Sequence, residues 1–310
     1  MKKVYFIVPS EEFLPTNKQI QSIKIHADVE TIIHAGKLAD LKQLQSDKSQ
    51  KILALDPDTF EWDLDTATLK DIPNVFAICH SSTSFDWVKP AVLKEFGVGV
   101  SNVPGFSSDS VAEYVVCMAI EVARQMPMVI KNDWKPVKTT GSFLLKGKKA
   151  GVIGLGRIGV RIAEVLRGIG MEVLYWSKSS VDERFTKVEL DDLFKQADVI
   201  IPALAENTET EKLLTHDRLD LIRPTSICIG INRVKALWDE EYLISKVEKG
   251  EIGGYACEGD TNKNVNSYKG NVWILPPIAW QTRDSLESLT QIWVDNIIGF
   301  ATGKPQNLVN

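Results

Sequence analysis

The chain has 310 residues, of which 44% are hydrophobic and 25% charged, with a net charge of −5 at pH 7. This length is sufficient for two domains, and the composition is that of a soluble globular protein. The acidic balance and the absence of a basic block argue against nucleic acid or a membrane surface as a partner.

Short apolar runs alternate with helical patterns along the whole chain, which predicts α/β architecture with parallel sheets. The first apolar run is too short for a signal peptide, and no run reaches the roughly 18 residues of a membrane helix, so we expect a cytoplasmic protein. Helices are predicted over 38–45 and 87–96. The candidate strands of the N-terminal third are 4–8, 29–33, 51–55, 75–78 and 98–101.

The middle of the chain has the strand pattern of a doubly wound dinucleotide-binding domain. Ser108 and Asp109 can cap a helix over 110–124, and a last helix over 285–301 can return to the first domain. The polar segment 260–269 is predicted to be a mobile loop. The candidate strands of this part are 150–153, 172–176, 199–202, 226–229, 253–257 and 272–275.

A glycine-rich loop joins the first of these strands to a helix. It has the form Gly154-x-Gly156-x-x-Gly159, with Arg157 and Ile158 between the last two glycines. A strand before it, a helix after it and a second strand at 172–176 make this motif specific for a dinucleotide pyrophosphate. The alternative is a glycine-rich turn that binds nothing.

The cysteines and histidines have no metal-ligand spacing, so no metal site is predicted. The cysteines are far apart and contain no CxxC pair, so we expect reduced, mostly buried thiols. They are Cys79, Cys117, Cys228 and Cys257.

Four motifs together resemble one enzyme family over essentially the whole chain. They are Asn102-Val-Pro-Gly105 followed by Ser110-Val-Ala-Glu113, the loop Gly154–Gly159, Ala197-Asp-Val-Ile-Ile with Asn207 and Thr210 beyond it, and Ile278-Ala-Trp280 followed by Thr282. The chain resembles the D-isomer-specific 2-hydroxyacid dehydrogenases, and within them the glyoxylate/hydroxypyruvate reductases.

The resemblance implies a fold, a cofactor and a substrate class. A flavodoxin-like α/β substrate domain would comprise 1–102 and 285–310, and a doubly wound parallel-sheet (Rossmann) domain would comprise 103–284. The family's cofactor is NAD or NADP, its substrates are small carboxylate-bearing molecules, and its members are commonly homodimers. The resemblance also implies that Asn207 and Thr210 lie in the loop under the cofactor.

The cofactor choice depends on the end of the strand over 172–176. NAD-dependent proteins of this fold usually have an acidic residue there, which binds the ribose 2′-hydroxyl. This chain has Ser177, Lys178 and Ser179 instead, and hydroxyls with one cation suit a 2′-phosphate. We therefore expect NADP(H) in preference to NAD(H). The alternative is a solvated Lys178 and the use of NAD.

The resemblance places the family's substrate-clamping arginine at Arg233, where a guanidinium could bind a carboxylate through two hydrogen bonds. A surface arginine is the alternative. The family's catalytic histidine corresponds to Pro277, and its glutamate partner to Lys263. Both acid–base positions are therefore substituted.

A replacement proton donor would have to come from another residue. Lys263 and His80 are the principal candidates, and the further candidates are Tyr255, Glu258 and Tyr268. The alternative for Lys263, which lies in a polar loop, is a solvated lysine. The alternative for His80 is a structural histidine. The residues after His80, Ser82, Thr83 and Ser84, resemble the family loop whose N–H groups hold the substrate carboxylate.

Two functions follow from these substitutions. The first is an NAD(P)-dependent oxidoreductase with a non-standard proton donor. The second is a dinucleotide-binding pseudoenzyme with a regulatory or scaffolding role. Because sites rather than folds determine function, nucleotide binding and turnover distinguish the two.

Overall fold

The computed structural model describes residues 2–135, 141–205, 207, 209–211, 213–231, 237–259 and 265–310. Arg233, Lys263 and the first half of the loop predicted over 260–269 lie outside the described residues. The chain divides into two compact units, Met1–Phe106 with Arg283–Asn310, and Ser107–Thr282. The domain limits predicted from the sequence stay predictions: a substrate domain over 1–102 with 285–310, and a dinucleotide-binding domain over 103–284.

The strands lie in two parallel sheets. In chain order the first sheet contains β1 (Lys2–Val8), β2 (Asp28–Ile33), β3 (Gln50–Leu55), β4 (Val75–His80) and β5 (Gly99–Ser101). The second contains β6 (Lys149–Ile153), β7 (Glu172–Trp176), β8 (Thr186–Lys187), β9 (Val199–Pro202), β10 (Ile227–Gly230), β11 (Gly254–Glu258) and β12 (Val272–Leu275).

The α-helices cover the faces of the two sheets. In chain order they are α1 (Asn17–Lys24), α2 (Lys42–Ser46), α3 (Pro90–Glu95), α4 (Ser108–Ala123), α5 (Met126–Lys131), α6 (Arg157–Gly168), α7 (Leu190–Gln196), α8 (His216–Leu219), α9 (Glu240–Glu248) and α10 (Arg283–Thr302).

The first unit has the flavodoxin-like strand order β2-β1-β3-β4-β5. Each neighbouring pair is parallel, so helices must cover both faces. Helix α10 supplies part of one face: the indole of Trp293 meets the ring of Phe6 edge-on at 5.2 Å and its Nε1 donates to the carbonyl of Cys79 at 2.8 Å. The predicted flavodoxin-like fold class is confirmed.

The second unit has the order β12-β11-β10-β9-β6-β7-β8. The strand order reverses between β6 and β9, and ligands of doubly wound sheets bind at the carboxyl ends of the strands at such a point. The predicted Rossmann architecture is confirmed. The sequence pattern does not predict the short edge strand β8, because two residues carry too little pattern to indicate a strand.

Several predicted helix limits were wrong for local reasons. The helix expected over 87–96 begins at Pro90, since Lys89 has a φ of +53° and proline is suited to the first helical position. The N-cap of α4 is Ser107 rather than Ser108 or Asp109, and Asp109 lies in the first helical turn, where its charge complements the helix dipole.

The cysteines have free thiols: Cys79, Cys228 and Cys257 are buried, whereas Cys117 is exposed on α4. Among the described residues, no helix combines the length and apolarity needed to span a bilayer.

Candidate cofactor site and substrate loop

Two glycines allow the loop after β6 to pack against its neighbours. Gly154 has a φ of +98°, and a Cβ there would lie 2.8 Å from the carbonyl oxygen of Ala203. A Cβ at Gly159 would lie 2.0 Å from the carbonyl oxygen of Gly154. No other residue can therefore occupy either position without moving the backbone. Both glycines are therefore required by the packing of the loop.

Gly156 differs from these two glycines because a Cβ there would have no neighbour within 4 Å. It is the N-cap of α6, and the first N–H groups of a helix have no acceptor within the helix. These N–H groups also lie at the positive end of the dipole of α6. An open position beside them suits the negatively charged pyrophosphate. Arg157 is exposed and Ile158 half-buried at the start of the same helix. The loop thus fits the dinucleotide that its motif predicts.

The residues after β7 form a turn without a carboxylate. Ser177 is buried, and its Oγ accepts from the N–H of Ser180 at 3.2 Å. Lys178 and Ser179 are exposed. The Nζ of Lys178 lies 2.6 Å from Oε2 of Glu209, a contact for which the sequence contained no signal. The ribose-binding position is therefore occupied by a hydroxyl and a paired cation.

Asn207 and Thr210 shape the loop after β9. The Oδ1 of Asn207 accepts from the N–H groups of Glu209 at 2.9 Å and Thr210 at 3.1 Å. The Oγ1 of Thr210 donates to the carbonyl of Ala205 at 2.8 Å. Both side chains are engaged within the loop, and their direct role in cofactor binding stays a prediction.

The segment around Pro277 is held by its neighbour Ala279. The buried carboxylate of Glu258 accepts from the N–H of Ala279 at 2.8 Å, and the hydroxyl of Ser110 donates to the carbonyl of the same residue at 2.5 Å. Burial raises the pKa of the nearby Tyr114 to about 12, and the charge of Glu258 adds to this rise. Pro277 itself has neither a side-chain proton donor nor a backbone N–H.

The other predicted proton donors receive little support from their surroundings. Tyr255 is buried in a core cluster and donates to the carboxylate of Glu240 at 3.2 Å; burial raises its pKa well above the usual range. Tyr268 packs against the same cluster. Lys263 and the clamp residue Arg233 lie outside the described residues, so their roles stay predictions.

His80 is fully buried at the end of β4, in the first unit. Its Nδ1 lies 2.9 Å from Oγ of Ser82, and its ring meets Trp87 edge-on at 5.4 Å. Burial lowers the pKa of His80 to about 3, so the imidazole is neutral near pH 7. A buried neutral imidazole is poorly suited to donate a proton, and these contacts favour the structural alternative.

Two hydroxyls of the loop after His80 are engaged in internal hydrogen bonds. Ser82 donates to the carbonyl of Ser84 at 2.9 Å, and Thr83 donates to the carbonyl of Val103 at 2.8 Å. Among the described residues, no backbone carbonyl accepts from the N–H of Thr83 or Ser84. Consecutive free N–H groups form the kind of concavity that binds anions. This loop therefore offers the N–H groups of Thr83 and Ser84 to a carboxylate, whereas the hydroxyls of Ser82 and Thr83 are already engaged.

Residues 114–273 match the sequence model of the D-isomer specific 2-hydroxyacid dehydrogenase, NAD binding domain. The chain belongs to this family. The match covers the glycine loop, the turn after β7 and the strands that carry both. The predicted class is thereby confirmed: the protein is an NAD(P)-dependent oxidoreductase of the D-2-hydroxyacid dehydrogenase type, and the alternative of a regulatory pseudoenzyme gains no support.

Individual family members are similar over most of their length. The glyoxylate reductase of Aeropyrum pernix is 27% identical over 270 residues, which is 80% of each chain. The glycerate dehydrogenase of Methylorubrum extorquens is 28% identical over 258 residues, 78% of this chain and 81% of its own.

Solved structures share the fold at lower identity. The acyclic imino acid reductase Bsp5, in complex with NADPH and D-Arg, has a TM-score of 0.80 and 23% identity, covering 100% of both chains. The D-lactate dehydrogenase of Lactobacillus jensenii with NAD+ also has a TM-score of 0.80, with 20% identity and 99% coverage of each chain. One of these structures contains NADPH and the other contains NAD+, so the two do not show which nucleotide this chain prefers.

Proposed function

We propose that this dehydrogenase reduces a small carboxylate-bearing substrate, a 2-oxo acid or a close analogue, with NADPH in preference to NADH. The observation that carries the proposal is the open space at Gly156 beside the N-terminus of α6, at the point where the strand order reverses. The nicotinamide dinucleotide, when bound, supplies the hydride.

The NADPH preference is supported by the turn after β7. Ser177, Lys178 and Ser179 contain no carboxylate to accept from a ribose 2′-hydroxyl. An ammonium group is a suitable partner for a 2′-phosphate.

We expect the N–H groups of Thr83 and Ser84 to bind a substrate carboxylate. This expectation is supported by the absence, among the described residues, of a backbone carbonyl that accepts from either N–H group. Arg233 is proposed as a carboxylate clamp from the family resemblance alone. Lys263 is proposed as a proton donor because the resemblance places it at the position of the family's glutamate and a desolvated lysine can donate a proton. The contacts of His80 give it no part in this proposal.

A second candidate substrate is a 2-imino acid, which the substitution at Pro277 favours. Hydride addition to a carbonyl makes an alkoxide, which needs a proton from the site. Hydride addition to a protonated C=N group makes a neutral amine, and that step needs no further proton. A site without the family's histidine therefore suits an imine better than a ketone. The likeness to an acyclic imino acid reductase is compatible with this chemistry.

The decisive experiment measures nucleotide binding and turnover separately. NADPH and NADH are titrated into the protein, and oxidation of the preferred nucleotide is then followed with 2-oxo acids, alone and with ammonia or an amine. Turnover only when an amine is present would select the imine. If a nucleotide binds but is not oxidised in any mixture, the proposals of a 2-oxo acid and of a 2-imino acid are both overturned. If neither nucleotide binds, the whole proposal is overturned.

The family resemblance further predicts a homodimer in the cytoplasm. Sedimentation equilibrium would reveal the dimer, and a monomer at micromolar concentration would contradict it.

A further inference from the structure

The loops on either side of the glycine loop are joined by an ion pair. In the second sheet, β6 lies between β9 and β7. Lys178 follows β7 and Glu209 lies in the loop after β9, so their 2.6 Å contact passes across the carboxyl end of β6. The glycine loop Gly154–Gly159 starts from that same end. The ion pair therefore crosses the mouth of the proposed dinucleotide site.

Both partners of this pair are free to change partner. Their side chains are 73% and 69% exposed, so the pair has no buried framework to hold it closed. The contact with Lys178 lowers the pKa of Glu209, and a glutamate carboxylate is ionised at neutral pH in any case. An exposed pair of this kind contributes little to stability, so its disruption by a ligand is easy.

The two cofactors meet this pair differently. A 2′-phosphate carries close to two negative charges and would use Lys178 as its cation, whereas the 2′-hydroxyl of NADH is neutral. A carboxylate already bound to that lysine competes with the phosphate and also repels it. NADH encounters neither effect.

We propose that Glu209 is a specificity-determining residue for the cofactor: it competes with the 2′-phosphate of NADPH for Lys178 and so narrows the preference for NADPH over NADH. This inference rests on the proposed function, since it assumes that the dinucleotide binds at the glycine loop. The inference adds to the proposed function a residue, Glu209, that opposes the preference for NADPH conferred by Lys178.

The test uses Glu209→Gln with Glu211→Gln as the matched control. Glu211 is exposed in the same loop and loses the same charge, and no contact between it and Lys178 is seen among the described residues. Dissociation constants for NADPH and NADH are measured by calorimetry on the unliganded protein, without turnover. We expect Glu209→Gln to tighten NADPH about fivefold and to change NADH by less than about twofold, as for loss of one exposed charge contact.

A second variant, Lys178→Met, should weaken NADPH and leave NADH nearly unchanged. The proposal is overturned if Glu209→Gln changes the NADPH-to-NADH ratio no more than Glu211→Gln does. It is also overturned if Glu209→Gln weakens NADH, because Glu209 would then be an acceptor for the ribose hydroxyl. If neither nucleotide binds the unmodified protein, the proposed function fails as well.

Discussion

Glu258 accepts a hydrogen bond from the backbone N–H of Ala279 at 2.8 Å, although the two residues are 21 positions apart in the chain. Both residues are buried. The contact joins the end of β11 to the segment that follows β12, and this segment contains Pro277, the position of the family's histidine. Both backbone groups of Ala279 are bonded, the N–H to Glu258 and the carbonyl to Ser110, so Ala279 helps to hold this segment in place.

Removal of the Glu258 carboxylate should destabilise the protein. Glu258→Ala leaves the buried N–H of Ala279 without its acceptor, at an expected cost of about 2 to 3 kcal/mol in the free energy of unfolding. Glu258→Gln keeps an acceptor oxygen and should cost about 1 kcal/mol or less. Urea denaturation of the two variants measures the difference. Equal stability of Glu258→Ala and the unmodified protein would contradict the assigned role.

Two substitutions in the glycine loop should separate folding from binding. A Cβ at position 156 has open space, so Gly156→Ala should fold normally but weaken both nucleotides by about tenfold or more, because the methyl group occupies space left for the pyrophosphate. Gly159→Ala should unfold at a lower temperature, since its Cβ would collide with the carbonyl of Gly154.

Gly168→Ala is the matched control for the loop variants. It lies in the same helix, and its Cβ also has no neighbour within 4 Å. The substitution should stabilise the protein by up to about 1 kcal/mol, as for glycine to alanine inside a helix, without any change in nucleotide affinity. Differential scanning calorimetry and nucleotide titration provide the two measurements. Normal nucleotide affinity in Gly156→Ala would place the pyrophosphate elsewhere.

His80 should make stability depend on pH below neutrality. Its pKa falls from 6.5 to about 3 on burial, so between these values the unfolded chain binds a proton that the folded protein does not. Stability should therefore decrease as the pH falls from 6.5 towards 3, and it should be unaffected by this group above 6.5. His80→Gln should remove much of that slope.

Urea midpoints at pH 7 and pH 5 measure this effect. His26→Gln is the control, because His26 is exposed. An unchanged pH slope in His80→Gln would show that other groups dominate the acid sensitivity. A large loss of reductase activity at constant stability would instead restore His80 as a catalytic candidate.

Pro277→His tests whether the substituted site can regain the family's carbonyl chemistry. A positioned general acid contributes about 10²- to 10⁴-fold, and the partner glutamate is absent here, so we expect a gain of about tenfold in 2-oxo acid reduction. Reduction of an imine should not rise in parallel. Pro276→His, one residue away and also exposed, is the control. A similar gain from both variants would show that position 277 has no special geometry.

Local patterns were enough to predict the glycine loop and every described strand except the two-residue strand β8. Runs such as Val199–Pro202 and Val272–Leu275 are apolar throughout because parallel strands are buried on both faces, and the structure has them at the predicted limits. The need for glycine at positions 154 and 159 is partly local, because Gly154 has a φ of +98° and a Cβ at Gly159 would meet the carbonyl of Gly154. The close approach of Ala203 to Gly154 depends on the packing of distant segments. The loss of a proton donor at Pro277 is equally visible in the chain.

Contacts between distant segments could not be inferred in this way. The pairing of Lys178 with Glu209 spans 31 residues and that of Glu258 with Ala279 spans 21, and both depend on which strands become neighbours in the sheet. The neutral, buried state of His80 likewise depends on how Trp87 and Ser82 pack around it. Periodicity and motifs report short-range backbone preferences, whereas side-chain partners, burial and pKa are properties of the packed fold.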